Sequence, residues 1–371
     1  MTRVSHPAGG AARFSATDHT HMARALRLAD LGMFTTQPNP RVGCVIAHGE
    51  TVVGEGWHAR AGEPHAEVFA LREAGERARG ATAYVTLEPC AHFGRTPPCA
   101  NALIAAGVGR VVAACEDPNP KVAGGGFAAL RAVGIAVETG LMREPARELN
   151  RGFFSRLERA RPWVRLKLAA SLDGRTALAN GASKWITGEA SRADVQRWRA
   201  RSSAILTGSG TVRADDPRLT VRLDAPFRPP LRVVLDRTLS LARAAQVLDG
   251  AAPTLVVHAE GAASSDDRYA RVELAAVPAS DGRLDLGAVL ALLAERGVNE
   301  LQVEAGPTLA GALFAAGLVD ELLLYVAPML LGGDARPLLA LPAIAEMAAA
   351  RRLAVVEERR IGEDRRLLLR G

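Results

Sequence analysis

The sequence predicts a two-domain α/β protein, and three observations support this fold class. Its 371 residues exceed what a single hydrophobic core usually serves. Strand and helix patterns alternate through both halves, as layered α/β domains require. A charged helical stretch lies between the halves. We therefore predict a disordered N-terminus at 1–16, a domain at 17–145, a helical connector at 146–161 and a second domain at 162–371.

The first domain begins with a helix in which apolar residues recur at helical spacing, and Asp18 is its predicted N-cap. Strand patterns follow, separated by helices and turns. The later elements predicted are strands at Val42–Ala47, Thr51–Trp57, Ala83–Leu87, Arg110–Cys115 and Ile135–Glu138, with helices at Ala66–Arg79, Cys99–Ala106 and Phe127–Ala132.

The second domain restarts at Pro162 and contains apolar runs typical of buried strands, several of them separated by helical segments. The strands predicted there are Val164–Ala169, Ala204–Thr207, Arg232–Asp236, Thr254–His258, Glu300–Glu304 and Glu321–Val326.

Composition excludes several classes of protein. The net charge of +6 is spread over the chain without a block of like charges, and aromatic residues make up only 4%, which disfavours a nucleic-acid partner. No apolar run approaches the length of a membrane span, and no secretory signal is apparent. Four cysteines do not suggest a disulfide framework, so we expect a cytoplasmic protein.

Three residues with metal-ligating side chains follow prolines, and two of them, His65 and Cys99, stand at predicted helix starts. His65 follows Pro64, while Cys90 and Cys99 each follow a proline. One imidazole and two thiolates leave a fourth position open, which is the arrangement of a catalytic zinc site. Glu67, two residues after His65, is placed to carry protons as a general acid and base. This is the pattern of zinc-dependent deaminases.

Two alternatives remain open for these cysteines: a closed zinc knuckle that only stabilises the fold, or free buried thiols. No fourth protein ligand at suitable spacing is evident, which favours the open site. Cys44 lies within a predicted strand and Cys115 at a strand end, so both are predicted as core or rim residues rather than ligands.

The second domain carries a lysine inside an apolar strand. Only three of the 46 basic residues are lysines, and Lys167 is the one whose burial would demand a partner or a ligand. Small-residue loops follow two other strands, at 208–212 and 305–311, where backbone amides suit phosphate groups. Neither is a dinucleotide fingerprint by itself, since each also fits ordinary turn chemistry.

Taken together, these motifs resemble the RibD family, the bifunctional deaminase–reductases of riboflavin biosynthesis. The resemblance covers nearly the whole chain from about residue 18. In the first domain it rests on His65-Ala66-Glu67, the long segment between Cys90 and Cys99, Asp117-Pro118-Asn119-Pro120, and Pro38-Asn39-Pro40-Arg41-Val42-Gly43.

For the first domain, the resemblance implies a cytidine-deaminase-like αβα fold with zinc on His65, Cys90 and Cys99. Its substrate would be a diaminopyrimidinone carrying a phosphoribosylamino group, whose ring amine at C2 is replaced by oxygen. Glu67 would be the catalytic proton carrier and Asn39 would orient the ring. His92 and Arg95 are equally open to substrate contact or a structural role in their loop.

For the second domain, the resemblance implies a dihydrofolate-reductase-like α/β fold that uses NADPH to reduce the ribosyl group to a ribityl chain. Lys167 would lie near the reduced sugar as a catalytic residue. The implied cofactor-binding residues are Ala169, Trp185, Thr211, Asp215, Thr238, Gly306, Pro307, Thr308, Leu309, Ala310 and Gly311. The implied substrate-binding residues are Ser183, Arg199, Leu219, Arg222 and Glu304.

The resulting prediction is a bifunctional enzyme with zinc and NADPH as cofactors. Its expected partners are a phosphorylated pyrimidine ribotide and further copies of the chain in a homo-oligomer, without nucleic acid or membrane. Two alternatives are a deaminase whose second domain is only a binding module, and a deaminase of nucleic-acid bases.

Overall fold

A computed structural model describes residues 14–91, 98–120, 122–264 and 266–371. The chain divides into two compact units, residues 1–150 and 151–371. This division lies inside the segment predicted as a connector. Residues 1–13 of the predicted disordered N-terminus lie outside the described residues.

Unit 1 is built on one five-stranded sheet in the order β2-β1-β3-β4-β5. Strand β1 is antiparallel to β2 and β3, whereas β3, β4 and β5 are parallel. The elements of this unit are α1 (Ala16–Asp30), β1 (Gly43–His48), β2 (Thr51–Trp57), α2 (Ala66–Ala74), β3 (Thr82–Val85), α3 (Cys99–Ala106), β4 (Arg110–Ala113), α4 (Gly125–Ala132), β5 (Ala136–Thr139) and α5 (Arg143–Leu149).

The N-cap of helix α1 lies three residues earlier than predicted. Ser15 is the N-cap: its hydroxyl accepts the Asp18 N–H, while the Asp18 carboxylate accepts the Ser15 N–H at 2.8 Å. The prediction of Asp18 as N-cap is therefore wrong, because in this reciprocal capping box the acidic residue stands inside the first turn. Asp18 also accepts hydrogen bonds from Tyr84 and Arg110.

Helix α2 lies unusually close to strand β2, and two glycines of the strand permit this approach. A Cβ atom on Gly54 would lie 2.2 Å from the carbonyl oxygen of Ala70, and one on Gly56 would lie 2.6 Å from that of Ala66. Small residues of α2 then pack into the fully buried apolar core between helix and sheet. The short distance between α2 and the sheet is thus possible because Gly54 and Gly56 of β2 have no side chains.

Unit 2 contains a nine-stranded sheet in the order β11-β10-β9-β8-β14-β6-β15-β18-β17, in which only the pairings of β18 are antiparallel. Its elements are α6 (Arg151–Arg159), β6 (Trp163–Ser171), β7 (Arg175–Ala177), α7 (Glu189–Arg201), β8 (Ala204–Gly208), α8 (Ser209–Asp215), β9 (Leu231–Leu235), β10 (Thr254–Ala259), β11 (Glu273–Val277), β12 (Ala279–Ser280), β13 (Arg283–Leu284), α9 (Leu286–Glu295), β14 (Glu300–Val303), α10 (Pro307–Ala315), β15 (Glu321–Ala327), β16 (Arg336–Pro337), β17 (Ala354–Ile361) and β18 (Asp364–Arg370).

Inside this sheet, Arg165 of β6 is fully buried between two carboxylates. Its Nε donates to Glu321 at 2.7 Å and its Nη2 donates to Glu300 at 2.9 Å. Its guanidinium lies 4.5 Å from the ring centroid of Trp198 on α7. Burying this cation is tolerable because both carboxylates pair with it and the aromatic ring covers its face.

The C-terminal hairpin of β17 and β18 was not among the predicted strands. Charged residues fill much of both strands, and most of β17 is exposed, so neither strand presents the apolar run that identified its neighbours. The hairpin forms because β18 pairs with β15. Pairing between segments distant in sequence leaves little local signal.

Candidate active sites

The topology of unit 1 brings its polar motifs to one edge of the sheet. Cys90 follows β3, and Asp117 follows β4, at the carboxyl ends of parallel strands. The N–H of Thr86, just beyond β3, donates to Gly43 at the start of the antiparallel β1. Asn39, which precedes β1, and His65, which follows β2, therefore reach the same edge. Ligand sites of open α/β sheets form at such edges.

Three predicted ligand atoms meet there. The Nδ1 of His65 lies 3.3 Å from Cys99 Sγ and 3.6 Å from Cys90 Sγ, and all three donor atoms lie within 4.8 Å of one another. Two ligands of a tetrahedral zinc ion, with bonds of about 2.0 and 2.3 Å, lie roughly 3.5 Å apart. The donor set and its spacing therefore fit zinc.

Local electrostatics prepare this cluster for a cation. The hydrogen bond between Cys90 and the Cys99 thiol, reinforced by His65 and by the Cys99 backbone N–H, lowers the pKa of Cys90 and favours its thiolate form. Helix α3 starts at Cys99 and α2 starts directly after His65. Both helix starts add positive potential beside the sulfur atoms.

Glu67 is buried beside the cluster, with 3% of its surface exposed. Among the described residues, its Oε2 atom has no hydrogen-bond partner. Burial raises the pKa of Glu67, which favours the protonated form. A buried carboxyl group that gains and loses a proton easily is what an acid–base catalyst needs.

His58 is a residue of this site that the sequence analysis missed. Its Nδ1 lies 3.1 Å from the Pro64 carbonyl, which can only accept, so Nδ1 donates. Burial lowers the pKa of His58 and keeps the ring neutral, so Nε2 accepts from the Asn39 amide nitrogen at 3.1 Å. A histidine seven residues before a zinc ligand was the available signal. His92 and Arg95 lie outside the described residues.

In unit 2, a cleft of about 1500 Å³ opens at the carboxyl ends of β8, β9 and β14. Most of the residues predicted for this domain line it. Those in the wall are Lys167, Ala169, Ser183, Arg199, Thr211, Asp215, Leu219, Thr238, Glu304, Gly306, Pro307, Thr308, Leu309 and Gly311.

Three predicted residues lie outside that wall. Trp185 is 66% exposed and stacks against Arg192, at 4.5 Å between guanidinium and ring centroid. Arg222 is exposed, and its N–H donates to Gln196 at 3.0 Å. Ala310 is fully buried in the core and its N–H donates to Gly306 within the helix, so neither its side chain nor its amide faces the cleft.

An ion pair between Arg199 and Glu304 forms part of the cleft wall. Arg199 donates to both oxygens of Glu304, each at 2.7 Å, so the two side chains form a bidentate ion pair. Burial acts to raise the pKa of Glu304, but Arg199 outweighs it and lowers the pKa to about 2. Burial lowers the pKa of Lys167, whose ammonium lies 5.8 Å from the ring centroid of Tyr325.

Turns form another part of the cleft wall. Gly306 caps α10, and its N–H donates to the Thr211 hydroxyl at 3.2 Å, which ties this turn to α8. Asp236 at the end of β9 accepts the N–H groups of Ser240 and Leu241, and this holds the turn that carries Thr238. Asp236 was missed because it serves the turn rather than the ligand.

A zinc-type donor set in a deaminase-like sheet and a nucleotide-sized cleft in a second α/β unit define the class: a zinc deaminase joined to a reductase. The family model described as the cytidine and deoxycytidylate deaminase zinc-binding region matches residues 15–115. The model described as the RibD C-terminal domain matches residues 162–366.

Known proteins resemble the chain over nearly its whole length. The riboflavin biosynthesis protein RibD of Escherichia coli K12 is 51% identical, over 94% of this chain and 97% of that protein. The corresponding protein of Haemophilus influenzae is 46% identical, over 95% and 97%. The chain therefore belongs to the RibD family.

Solved structures agree with this family. Acinetobacter baumannii RibD matches with a TM-score of 0.89 and 45% identity, covering 95% of this chain and 98% of that chain. A diaminohydroxyphosphoribosylaminopyrimidine deaminase/5-amino-6-(5-phosphoribosylamino)uracil reductase of Thermotoga maritima matches with a TM-score of 0.83 and 32% identity, covering 96% and 99%.

The protein is thus a bifunctional deaminase and reductase of riboflavin biosynthesis, with zinc and NADPH as cofactors. This confirms the predicted family, the predicted fold class and both predicted cofactors. Among the helices in the described part of the chain, none is long and apolar enough to cross a membrane.

Proposed function

We propose that unit 1 deaminates 2,5-diamino-6-(5-phosphoribosylamino)pyrimidin-4(3H)-one and that unit 2 then reduces the ribosyl group of the product to a ribityl chain. The similarity to the Thermotoga maritima deaminase/reductase supports this pair of reactions. The observation that carries the deaminase assignment is the buried Glu67 carboxyl group beside three zinc-type ligand atoms.

In the deaminase, His65, Cys90 and Cys99 would hold the metal. Bound zinc supplies a Lewis acid that lets water ionise near neutral pH. Glu67 would accept a proton from the attacking water and deliver it to the pyrimidine ring nitrogen. It would then take the proton of the hydroxyl group newly attached at C2 and deliver it to the amine, so that ammonia leaves as the C2 carbonyl forms. His58 fixes the Asn39 amide nitrogen as a donor. The Asn39 oxygen is then presented as an acceptor for an N–H group of the substrate ring.

In the reductase, the turns at Thr211, Asp215, Thr238 and 306–311 would hold the cofactor, together with Ala169. Bound NADPH supplies hydride to C1 of the opened ribose. Lys167 and Glu304 line the same cleft, and Arg199 keeps Glu304 ionised. We propose that Lys167 opens the ribose by donating a proton to its ring oxygen as the bond from that oxygen to C1 breaks; this proton and the hydride at C1 are the two hydrogens added.

The roles proposed for the other predicted contact residues follow from their positions in the fold. Ser183 and Leu219 line the cleft and are proposed to contact the substrate, whereas Arg199 acts through Glu304. Trp185 and Arg222 are proposed to reach their ligands only when the loops that bear them move. Ala310 is proposed to support the turn from the core rather than to touch the cofactor.

We propose that the protein works in the cytoplasm as a homo-oligomer and does not bind nucleic acid. Its four free cysteines suit a reducing compartment. Exposed apolar side chains such as Leu330, Met347 and Val355 of unit 2 offer surface for contact between copies. Light scattering of the purified protein tests the oligomer, and titration with RNA at low and high salt tests the absence of binding.

The experiment that tests the proposed function is mass spectrometry of the diaminopyrimidinone ribotide after incubation with zinc-loaded protein. Without NADPH, one change is expected: an amino group is replaced by oxygen. Adding NADPH should add two hydrogens to that product. Glu67→Gln should abolish the first change because the proton carrier is lost. Absence of either change from the parental reaction would refute that half of the proposal.

A further inference from the structure

Glu88 is a buried carboxylate that neither reaction uses. It lies two residues before Cys90 and is 3% exposed. Its Oε1 accepts the N–H groups of Gly126 at 3.0 Å and Phe127 at 3.3 Å. Its Oε2 accepts those of Gly124 at 3.0 Å and Asp117 at 3.3 Å. A single side chain therefore accepts hydrogen bonds from four backbone N–H groups, two in the segment that connects β4 to α4 and two in the first turn of α4.

The start of α4 also lies directly against the backbone that carries Cys90. A Cβ atom on Gly126 would lie 1.9 Å from the Pro89 carbonyl oxygen, so only glycine allows the approach. A Cβ atom on Gly125 would contact the Ala91 side chain at 3.4 Å. The N–H of Glu88 itself donates to Cys115 at the end of β4, at 2.9 Å.

The bonded segment contains a compact turn. The Asp117 carboxylate accepts the Asn119 N–H at 2.8 Å, and the Asn119 carbonyl accepts the N–H groups of Val122 and Ala123 at 2.8 and 2.9 Å. Two prolines flank Asn119 and restrict its backbone. Since Asp117 follows β4, the turn stands at the same carboxyl edge of the sheet as the zinc-type ligands.

We propose that Glu88 is a positioning residue of the deaminase: by holding the turn at Asp117–Asn119 beside the Cys90 segment, it shapes the wall against which the pyrimidine ribotide binds. Glu88 acts through this turn and touches neither metal nor substrate. It therefore affects substrate affinity more than the chemical step. The inference rests on the deaminase activity of unit 1.

The test replaces the carboxylate by its isostere in the full-length, zinc-loaded protein. In Glu88→Gln, the amide nitrogen faces two backbone N–H groups that previously had an acceptor, so half of the bonds to the turn are lost. We expect KM for deamination of the diaminopyrimidinone ribotide to rise about tenfold, with kcat within about threefold of the parental value. Zinc content and NADPH-dependent reduction should stay parental.

Two further variants separate positioning from general stability. Glu88→Asp keeps the charge on a shorter side chain and should give an intermediate KM, and it carries the test if Glu88→Gln is insoluble. Glu138→Gln removes a carboxylate of the same unit that accepts from Arg110 at 2.7 Å within the sheet, and it should leave KM unchanged.

Two results would overturn the proposal. One is a parental KM in soluble, zinc-loaded Glu88→Gln, or in Glu88→Asp when that variant carries the test. The other is loss of zinc and kcat together at unchanged KM, which would assign Glu88 to the metal site. Failure of the parental protein to deaminate would instead refute the proposed function, and this is seen before any variant is compared.

Discussion

Lys167 shows how a single buried cation can be poised for chemistry. Its ammonium is removed from solvent, which lowers the pKa of this lysine, while the ionised Glu304 partly offsets that effect. A lysine in this environment gives up a proton more readily than one on the surface.

Replacing Lys167 by methionine should abolish reduction and leave deamination intact. Methionine fills a similar volume, so the buried strand should keep its packing, whereas the proton donor disappears. NADPH oxidation and product mass, measured with the deaminated substrate, check this. A variant that reduces at the parental rate would show that Lys167 has no part in the reaction.

At this scale, the sequence indicated the zinc-type ligands best, because His65, Cys90 and Cys99 are residue types that suit the metal and two of them, His65 and Cys99, stand at helix starts. It did not reveal that Glu304 would engage Arg199, since the two residues lie far apart along the chain and meet only through the sheet. It also placed Ala310 at the cofactor, although the helical periodicity of α10 turns this residue into the core.

Among the elements, β15 depends on a carboxylate at its first residue. Glu321 accepts hydrogen bonds from Arg151 at 2.6 Å and Arg165 at 2.7 Å, and from Arg370 at 2.9 Å. Burial acts to raise the pKa of Glu321, but the neighbouring arginines outweigh it and lower the pKa to about 2. Glu321 therefore stabilises the folded state in its ionised form.

This shift fixes the sign of a pH effect. The folded pKa lies below the unfolded value of about 4.3, so the stabilisation is complete above about pH 5 and is lost as the pH falls toward 2. Glu321→Gln should lower the free energy of unfolding of unit 2 by roughly 3 kcal/mol at pH 7. The free energy of unfolding of this variant should also decrease less steeply, as the pH falls, than that of the parental protein.

Denaturant titration followed by tryptophan fluorescence at several pH values measures both effects. Three of the four tryptophans, Trp163, Trp185 and Trp198, belong to unit 2, so the signal reports mainly on this unit. Equal acid slopes for the two proteins would contradict the role given to Glu321.

Most strands were predictable from their apolar runs, and helix α3 begins and ends where predicted, at Cys99 and Ala106. The first cap was misplaced by three residues because Ser15 and Asp18 are both good capping residues and only the backbone decides between them. Elements whose stability comes from distant partners, such as β18 with its pairing to β15, could not be inferred from their own composition.

At the scale of the whole molecule, the two activities depend on different cofactors held in different units. Dialysis against a zinc chelator should therefore abolish deamination while reduction of the deaminated substrate continues at its parental rate. Both assays on one chelated sample, before and after zinc is restored, measure this. Loss of reduction together with deamination, reversed by zinc, would show that unit 2 also needs the metal.

The glycines of β2 bear on how inactive forms of this enzyme arise. Helix α2 begins directly after His65 and carries Glu67. The helix can pack this close to the sheet only because Gly54 and Gly56 have no side chains. A random-mutagenesis screen for riboflavin auxotrophy should therefore recover substitutions at both positions, although neither residue takes part in the reaction. A method that judges substitutions only by whether the residue takes part in the reaction would therefore wrongly classify changes at Gly54 and Gly56 as harmless.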